Sequence, residues 1–233
     1  MKRCSWKAAL SGLRQYVTIL YCPLLFAMVI LPCIGQRLEI GAKVGIPITD
    51  TFETSSFFTI GFGEGATSAT RRYTVGPTVG VRLPHGLGIE FDALYRRVGF
   101  NRLTKSSGVV LDATHTTANS WEFPILAEIV VGRIPFVKPF IDGGVAFRTL
   151  SGVSSTTVRS LFDSMTRSSG TSDPILTNRS SYGAVVGLGA EMRVGPFRLL
   201  PEMRYSRWAA DRNLDLQLHS NQNQLDFILG IAF

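Results

Sequence analysis

The chain has 233 residues and a formal net charge of +7, and 18% of its residues are charged, fewer than the roughly 25% usual in soluble domains. This length suits one or two soluble domains or a single β-barrel. Beyond the N-terminal segment, no apolar run approaches the roughly 20 residues of a membrane-spanning helix, which excludes a helical bundle in lipid.

Residues 1–36 are predicted to be a cleavable signal peptide. A basic region without acidic residues precedes an apolar core at residues 16–34, and an uncleaved helical anchor is the alternative. All three cysteines lie in this segment, so residues 37–233 would contain neither a disulfide nor a thiol nucleophile. Cleavage would remove four basic residues and lower the formal charge from +7 to +3. The basic pI therefore gives no support for nucleic-acid binding.

Eight segments then alternate apolar residues with polar residues or glycine, the pattern of strands with one apolar face. These predicted strands lie at about residues 38–46, 72–83, 87–96, 121–131, 138–148, 182–193, 197–205 and 222–233. Residues 48–71 are predicted to be a loop or a hairpin above the barrel. Bulges or shifted boundaries are expected at the prolines inside strands, which are Pro77, Pro124, Pro139 and Pro201.

The connections between the strands alternate in length. Tight turns near Pro84, Ile134 and Gly195 alternate with polar loops at about residues 101–118, 149–179 and 208–221. Transmembrane barrels have short periplasmic turns and long extracellular loops, and strands of about 9–11 residues cross the hydrocarbon layer. The pattern favours an eight-stranded antiparallel up-and-down transmembrane barrel over a soluble lipocalin-like barrel or a helix-anchored β-domain.

Aromatic residues on the apolar faces gather near the strand ends, as in the interfacial girdles of membrane barrels. The predicted girdle contains Tyr73, Tyr95, Trp121, Phe147, Tyr182 and Tyr205 near the long loops, with Phe197 and Phe233 near the opposite rim.

The opposite faces carry glycines and nearly balanced charges, as the narrow lumen of an eight-stranded barrel requires. The predicted lumen network comprises Glu39, Lys43, Arg82, Glu90, Asp92, Arg96, Glu122, Glu128, Lys138, Asp142, Arg148, Glu191, Arg193, Arg198, Glu202, Arg204 and Asp226. These charges are interpreted as a packed ion-pair network, and a narrow pore for ions or small solutes is the alternative.

The last segment, QNQLDFILGIAF, ends on Phe233 and resembles the closing strand of bacterial outer-membrane β-barrels. The layout from Arg37 to Phe233 resembles the small outer-membrane β-barrel domain family that includes the OmpA membrane domain and the PorT-like proteins. The resemblance implies a Gram-negative-type outer membrane and both termini in the periplasm. It also implies contact with outer-membrane lipid and lipopolysaccharide, assembly through the C-terminal strand by the barrel-assembly machinery, and a monomer.

The sequence contains few residues in arrangements suited to catalysis. His219 and Ser220 are adjacent, so in a strand they would point to opposite faces, and a polar loop is the favoured interpretation. Asp112 and His115 share a loop with many hydroxyl residues, where proximity is expected by chance. His85 lies in a tight turn, and no metal-binding spacing occurs.

The sequence therefore predicts a non-enzymatic protein without cofactor or metal, with a structural or surface-interaction role through its long loops. The arginines at positions 159, 167 and 179 could contact anionic lipopolysaccharide or a host ligand. A narrow pore and a lipid A-modifying enzyme are the alternative functions.

Overall fold

The computed structural model describes residues 37–106, 109–132, 134–161, 164–170, 179–209 and 221–233. The predicted signal peptide, residues 1–36, lies outside these ranges, as do His219 and Ser220. No helix within them has the length and apolar character needed to cross a membrane.

The described part of the chain contains twelve β-strands, all paired antiparallel. They are β1 (Arg37–Pro47), β2 (Ser55–Thr59), β3 (Phe62–Ser68), β4 (Thr74–Arg82), β5 (Leu87–Asp92), β6 (Leu94–Ser106), β7 (Val109–Val130), β8 (Val137–Leu161), β9 (Ser164–Gly170), β10 (Ser180–Val194), β11 (Phe197–Trp208) and β12 (Asn223–Ala232). A short 3-10 turn at Pro84–Gly86 joins β4 to β5.

Eight barrel strands form a closed ring. The ring runs β1, β4, β5 with β6, β7, β8, β10, β11 and β12, and β12 pairs with β1 from Gly41 opposite Ala232 to Pro47 opposite Asp226. Closure leaves no free edge within the barrel, so backbone groups are paired all the way round. The predicted eight-stranded antiparallel barrel is confirmed.

β5 and β6 are one barrel strand interrupted only at Ala93. Their register against β7 is the same on both sides of Ala93, so no residue is inserted there. The Ala93 N–H donates to the Pro77 carbonyl at 3.0 Å. β4 approaches so closely at this point that a Cβ at Gly76 would overlap the Ala93 carbonyl oxygen, which only glycine avoids.

The bulges expected at prolines do not occur within the described ladders. The register shifts lie instead at Thr104/Lys105 and at Thr117/Asn119. A proline lacks only the donor of its ladder bond, because its carbonyl still accepts. The Pro139 carbonyl, for example, accepts the Val131 N–H at 2.9 Å. The ring therefore loses single hydrogen bonds at these prolines and keeps its register.

The segments predicted as long loops contain a second sheet beyond one end of the barrel. β6 and β7 continue past the girdle and pair up to Ser106 and Val109, so the predicted loop at residues 101–118 is wrong. β8 continues to Leu161 and pairs with β9, which corrects the loop predicted from residue 149 onward. Residues 48–71, left open between loop and hairpin, contain the β2–β3 hairpin, which pairs with β6.

We call this six-stranded extension, in the order β2, β3, β6, β7, β8 and β9, the surface sheet; it comprises residues 55–68, 99–106, 109–120, 150–161 and 164–170. Its strands are rich in threonine, serine and valine on both faces, so they lack the apolar–polar alternation that marks a half-buried strand. β-branched residues nevertheless favour extended backbone, and pairing with the rigid barrel strands supplies the register.

The two faces of the ring differ as a membrane barrel requires. On β1, Leu38, Ile40 and Val44 point outward and are 56%, 49% and 49% exposed, whereas Glu39 and Lys43 point inward and are 6% and 2% exposed. The same alternation recurs on β10, β11 and β12. An outward apolar band with buried inward charges suits a lipid surround and would not be stable in water.

Candidate functional site

The barrel lumen is filled by three layers of ion pairs. The mouth layer, next to the short turns, consists of Glu39, Arg82, Glu128, Lys138, Glu191 and Arg198. Arg82 Nε lies 3.1 Å from Glu39 and its guanidinium also pairs with Glu128. Lys138 Nζ lies 3.2 Å from Glu191, although about two fifths of its side chain is exposed. This layer balances three cations against three carboxylates.

The middle layer contains Lys43, Glu90, Asp92, Asp142, Glu202 and Arg204. Arg204 bonds Glu202 at 2.5 Å and Asp92 at 2.8 Å, and Lys43 contacts the same two carboxylates at 3.2 and 3.3 Å. Asp142 is buried, and its Oδ1 has no hydrogen-bond partner among the described residues. Four carboxylates therefore share two cations, and all four except Glu90 are buried.

Asp142 fits in the lumen because the facing residue on β10 has no side chain. A Cβ at Gly187 would lie 2.5 and 2.6 Å from the two carboxylate oxygens of Asp142. At this position the glycine–charge alternation in the sequence thus reflects direct steric contact between adjacent strands on the lumen face.

The top layer contains two further ion pairs, one of which packs against the ring of Trp208. Arg96 bonds Asp226 at 2.8 Å and Thr74 at 3.0 Å. Arg148 bonds Glu122 at 3.0 Å and stacks 3.7 Å above the Trp208 ring. Arginine on an indole face gains cation–π attraction in addition to its ion pair.

An apolar cluster closes the lumen beyond the top layer, at the base of the surface sheet. It consists of Phe52, Ala66, Val98, Phe100, Ala118 and Val153. The Phe52 and Phe100 rings meet edge to face at 5.5 Å. The barrel is therefore closed by charge in its middle and by apolar packing at the sheet end.

The structure brings most of the proposed network residues together and leaves one apart. Arg193 is exposed at the barrel mouth and has no ion pair with a described residue. The lumen also contains buried residues that the sequence prediction did not include, among them Leu126, Val185, Gln224 and Ile228. Their positions, on the same inward parity as charged residues of the same strands, were the available signal.

The proposed girdle residues lie on the outer face of the ring. Tyr95 packs against Tyr73 at 6.5 Å and against Trp121 at 5.2 Å. Phe147 and Tyr182 are register partners on β8 and β10, and the Tyr205 hydroxyl bonds Asn223 at 2.7 Å. At the other rim, the Phe197 and Phe233 rings lie 6.4 Å apart.

The surface sheet carries a cleft on the face that continues the outer side of the barrel. The cleft has a volume of about 590 Å³, and its polar lining includes Asn101, Arg102, His115, Thr156 and Arg167. His115 Nδ1 lies 2.5 Å from Asn101 Oδ1. The cleft therefore combines arginine and hydroxyl groups with the apolar side chains of Leu103, Ala113 and Val158.

The candidate catalytic groups within the described residues, Asp112, His115 and His85, do not form a nucleophilic site. Asp112 bonds Arg159 at 2.8 Å, which raises the pKa of Arg159, and His115 turns to Asn101 instead. His85 sits in the turn with a positive φ of 67°. Within the described ranges, no cluster of ligating side chains could hold a metal ion.

Solved structures of small outer-membrane barrels resemble the chain at low sequence identity. Neisserial surface protein A is 14% identical, with a TM-score of 0.40, 85% of this chain covered and 97% of the other. OprG from Pseudomonas aeruginosa is 13% identical, with a TM-score of 0.43 and coverages of 86% and 96%. Ail from Yersinia pestis is 14% identical, with a TM-score of 0.34 and coverages of 84% and 98%.

Curated protein sequences gave no match. The family model described as the outer membrane protein beta-barrel domain matches residues 28–207, which is most of the chain. Together with the closed eight-stranded ring and its apolar outer face, this match shows that the chain belongs to the outer membrane β-barrel domain family and is an outer-membrane protein.

Proposed function

We propose that this protein is a non-enzymatic surface-interaction protein, in which a closed barrel anchors the surface sheet at the cell exterior. The observation that carries the proposal is the combination of a lumen filled from its middle layer to the surface sheet with a paired sheet beyond it. A filled lumen leaves the barrel no transport path, whereas a rigid sheet on such an anchor is suited to presenting side chains to a partner.

The proposed orientation places both termini and the short turns in the periplasm. Arg37 begins β1 and lies at the same end of the ring as the turn at residues 84–86. Phe233 lies at this end too, because its N–H bonds the carbonyl of Ile40, near the start of β1, at 3.1 Å. The surface sheet lies at the opposite end. Short periplasmic turns and long extracellular segments are the usual arrangement of such barrels.

Cysteine labelling on intact cells tests this orientation. Residues 37–233 contain no cysteine, so Thr166→Cys in β9 and Pro196→Cys in the β10–β11 turn each introduce a single label site there. We expect a membrane-impermeant maleimide to label Thr166→Cys on intact cells and Pro196→Cys only after the outer membrane is permeabilised. The reverse pattern would contradict the orientation.

The proposed ligand class is anionic carbohydrate, either lipopolysaccharide of the same membrane or a polyanion outside the cell. Arg167 lines the cleft on the outward face and has no ion pair with a described residue, whereas Arg102 has inward register and pairs with Glu64 at 3.8 Å. Arg97 and Arg207 follow Tyr95 and Tyr205 by two positions on the outward face, just beyond the aromatic girdle. Arginines at this height suit phosphate and sulfate groups, which they bind through paired hydrogen bonds.

Binding of defined carbohydrate polymers tests the ligand class. We expect the protein in lipid nanodiscs to bind dextran sulfate and not neutral dextran. The substitution Arg167→Gln should weaken that binding about tenfold, because it removes one charged donor worth about 1.5–3 kcal/mol. Isothermal titration calorimetry at constant ionic strength measures the change.

Two comparisons complete this test. Arg193→Gln, at the other end of the barrel, should bind dextran sulfate like the unmodified protein. If purified lipopolysaccharide competes with dextran sulfate, the ligand is the cell's own outer leaflet. If it does not compete, an external polyanion is favoured. Equal binding of sulfated and neutral dextran would contradict the proposal.

A narrow pore is the rival function, and the buried middle layer argues against it. Arg204 and Asp92 are 2% and 0% exposed, so hydrated ions have no room to pass at this height. We expect the refolded protein to give no stepwise single-channel currents in a planar bilayer at neutral pH. Regular conductance steps, absent from boiled protein, would support the pore.

A further inference from the structure

The barrel contains a cavity at its short-turn mouth that the proposed surface function does not use. This mouth cavity has a volume of about 600 Å³, in the range of small-molecule sites. Its charged lining includes Arg37, Glu39, Arg82, Lys138, Arg193 and Arg198. It opens at the end that we place in the periplasm.

Deep in the mouth cavity the positive charges are matched by carboxylates. At the rim of the cavity they are not. Arg82, Lys138 and Arg198 are paired with carboxylates of the mouth layer. Arg37 and Arg193 occupy inward register positions on β1 and β10, are exposed, and form no ion pair with a described residue. The rim therefore carries two cations in excess.

Each of these two arginines also lies directly opposite another arginine. Arg37 pairs in register with Arg82 across β1 and β4, and Arg193 pairs with Arg198 across β10 and β11. Like charges at directly opposite positions of an antiparallel pair are destabilising. An anion between them would convert this repulsion into attraction.

The next layer inward fixes how far such an anion can enter. In the middle layer, four carboxylates share Lys43 and Arg204, so an anion is repelled there. Attraction at the rim followed by repulsion one layer deeper retains an anion at the mouth and opposes its passage.

We infer that the mouth cavity is a binding site for a phosphate group, held by Arg37 and Arg193 with Arg82 and Arg198 behind them. Guanidinium groups bind phosphate oxygens through two parallel hydrogen bonds, and four converge here around one cavity. The phosphate belongs either to a soluble phosphomonoester or to a lipid headgroup of the adjacent leaflet.

Thermal unfolding of the full chain, purified from membranes into phosphatidylcholine nanodiscs, tests this site. We expect sn-glycerol 3-phosphate, at ionic strength matched with chloride, to raise the unfolding temperature by about 2–4 °C. A rise with nanodiscs that contain phosphatidic acid, and none with glycerol phosphate, would assign the site to a lipid headgroup. Both results support the phosphate site.

The double substitution Arg37→Gln with Arg193→Gln separates binding from structure. Without phosphate this variant should unfold at or above the temperature of the unmodified protein, since two like-charge pairs are removed. With either probe its unfolding temperature should not change. Lys105→Gln, in the surface sheet and outside both cavities, should keep the full response. No shift in the unmodified protein, or equal shifts in the double variant, would overturn the inference.

Discussion

Replacing Arg204 by methionine is expected to lower the free energy of unfolding by about 3–5 kcal/mol. Arg204 bonds Glu202 at 2.5 Å, Asp92 at 2.8 Å and Glu90 at 3.4 Å, and it is 2% exposed. Its loss leaves four carboxylates, three of them buried, around Lys43 alone. The cost comes mainly from those uncompensated charges, because methionine keeps most of the side-chain volume.

Urea unfolding in lipid vesicles, followed by tryptophan fluorescence and by the heat-dependent shift on a gel, measures this change. Asp142→Asn is the matched control in the same layer, since the Asp142 carboxylate has no ion pair within the described ranges and Asn has nearly the same shape. We expect this control to leave stability unchanged or to raise it. A loss below about 1 kcal/mol for Arg204→Met would show that the middle layer does not depend on this arginine.

Combining the two substitutions gives a sharper test. If the damage in Arg204→Met comes from excess negative charge, Asp142→Asn should restore part of the lost stability in the double variant. Additive effects would mean that the two residues do not share one electrostatic site. The sign of the interaction therefore distinguishes charge imbalance from lost packing.

The barrel itself could be predicted from sequence because each barrel strand has one apolar and one polar face. Leu188 and Gly187 illustrate the rule, with the first outward toward lipid and the second inward against Asp142. Alternation over about ten residues carries this information locally. Closure of β1 on β12 then follows from the count and length of the strands.

The surface sheet could not be predicted in the same way. Thr114 pairs with Thr157 through a hydrogen bond of 2.9 Å, and the buried positions of β7 here are Thr114 and Thr116 instead of large apolar residues. A strand with two polar faces has no periodic signal, so its sequence is indistinguishable from a loop. Only the neighbouring barrel strands, which it continues, define its extended conformation.

The ion-pair partners inside the lumen also could not be predicted from the sequence. Lys43 bonds Glu202, 159 positions away, and Arg204 bonds Asp92, 112 positions away. Inward position can be inferred from alternation, but partners depend on the stagger of strands that are distant in the chain. The same stagger brings Arg37 opposite Arg82 and Arg193 opposite Arg198 at the mouth.

The lipid-facing surface gives the second large effect. Leu188 is 61% exposed, and its register neighbours Ile141 and Met203 also point outward. Leu188→Arg places a guanidinium in the apolar band. We expect a loss of about 2–4 kcal/mol in vesicles, the cost of a basic residue near the bilayer midplane.

Depth along the same strand supplies the control. Tyr182 lies six residues before Leu188, about 20 Å along β10, in the girdle next to Phe147. Tyr182→Arg should cost only about 0–1 kcal/mol, because arginine is tolerated near the interface. Leu188→Ala separates the loss of side-chain volume from the added charge. If the outer face were in water, an arginine would be solvated equally well at both heights and the two variants would lose the same stability. Equal losses would therefore be incompatible with a lipid surround, and a lipid surround predicts a large difference.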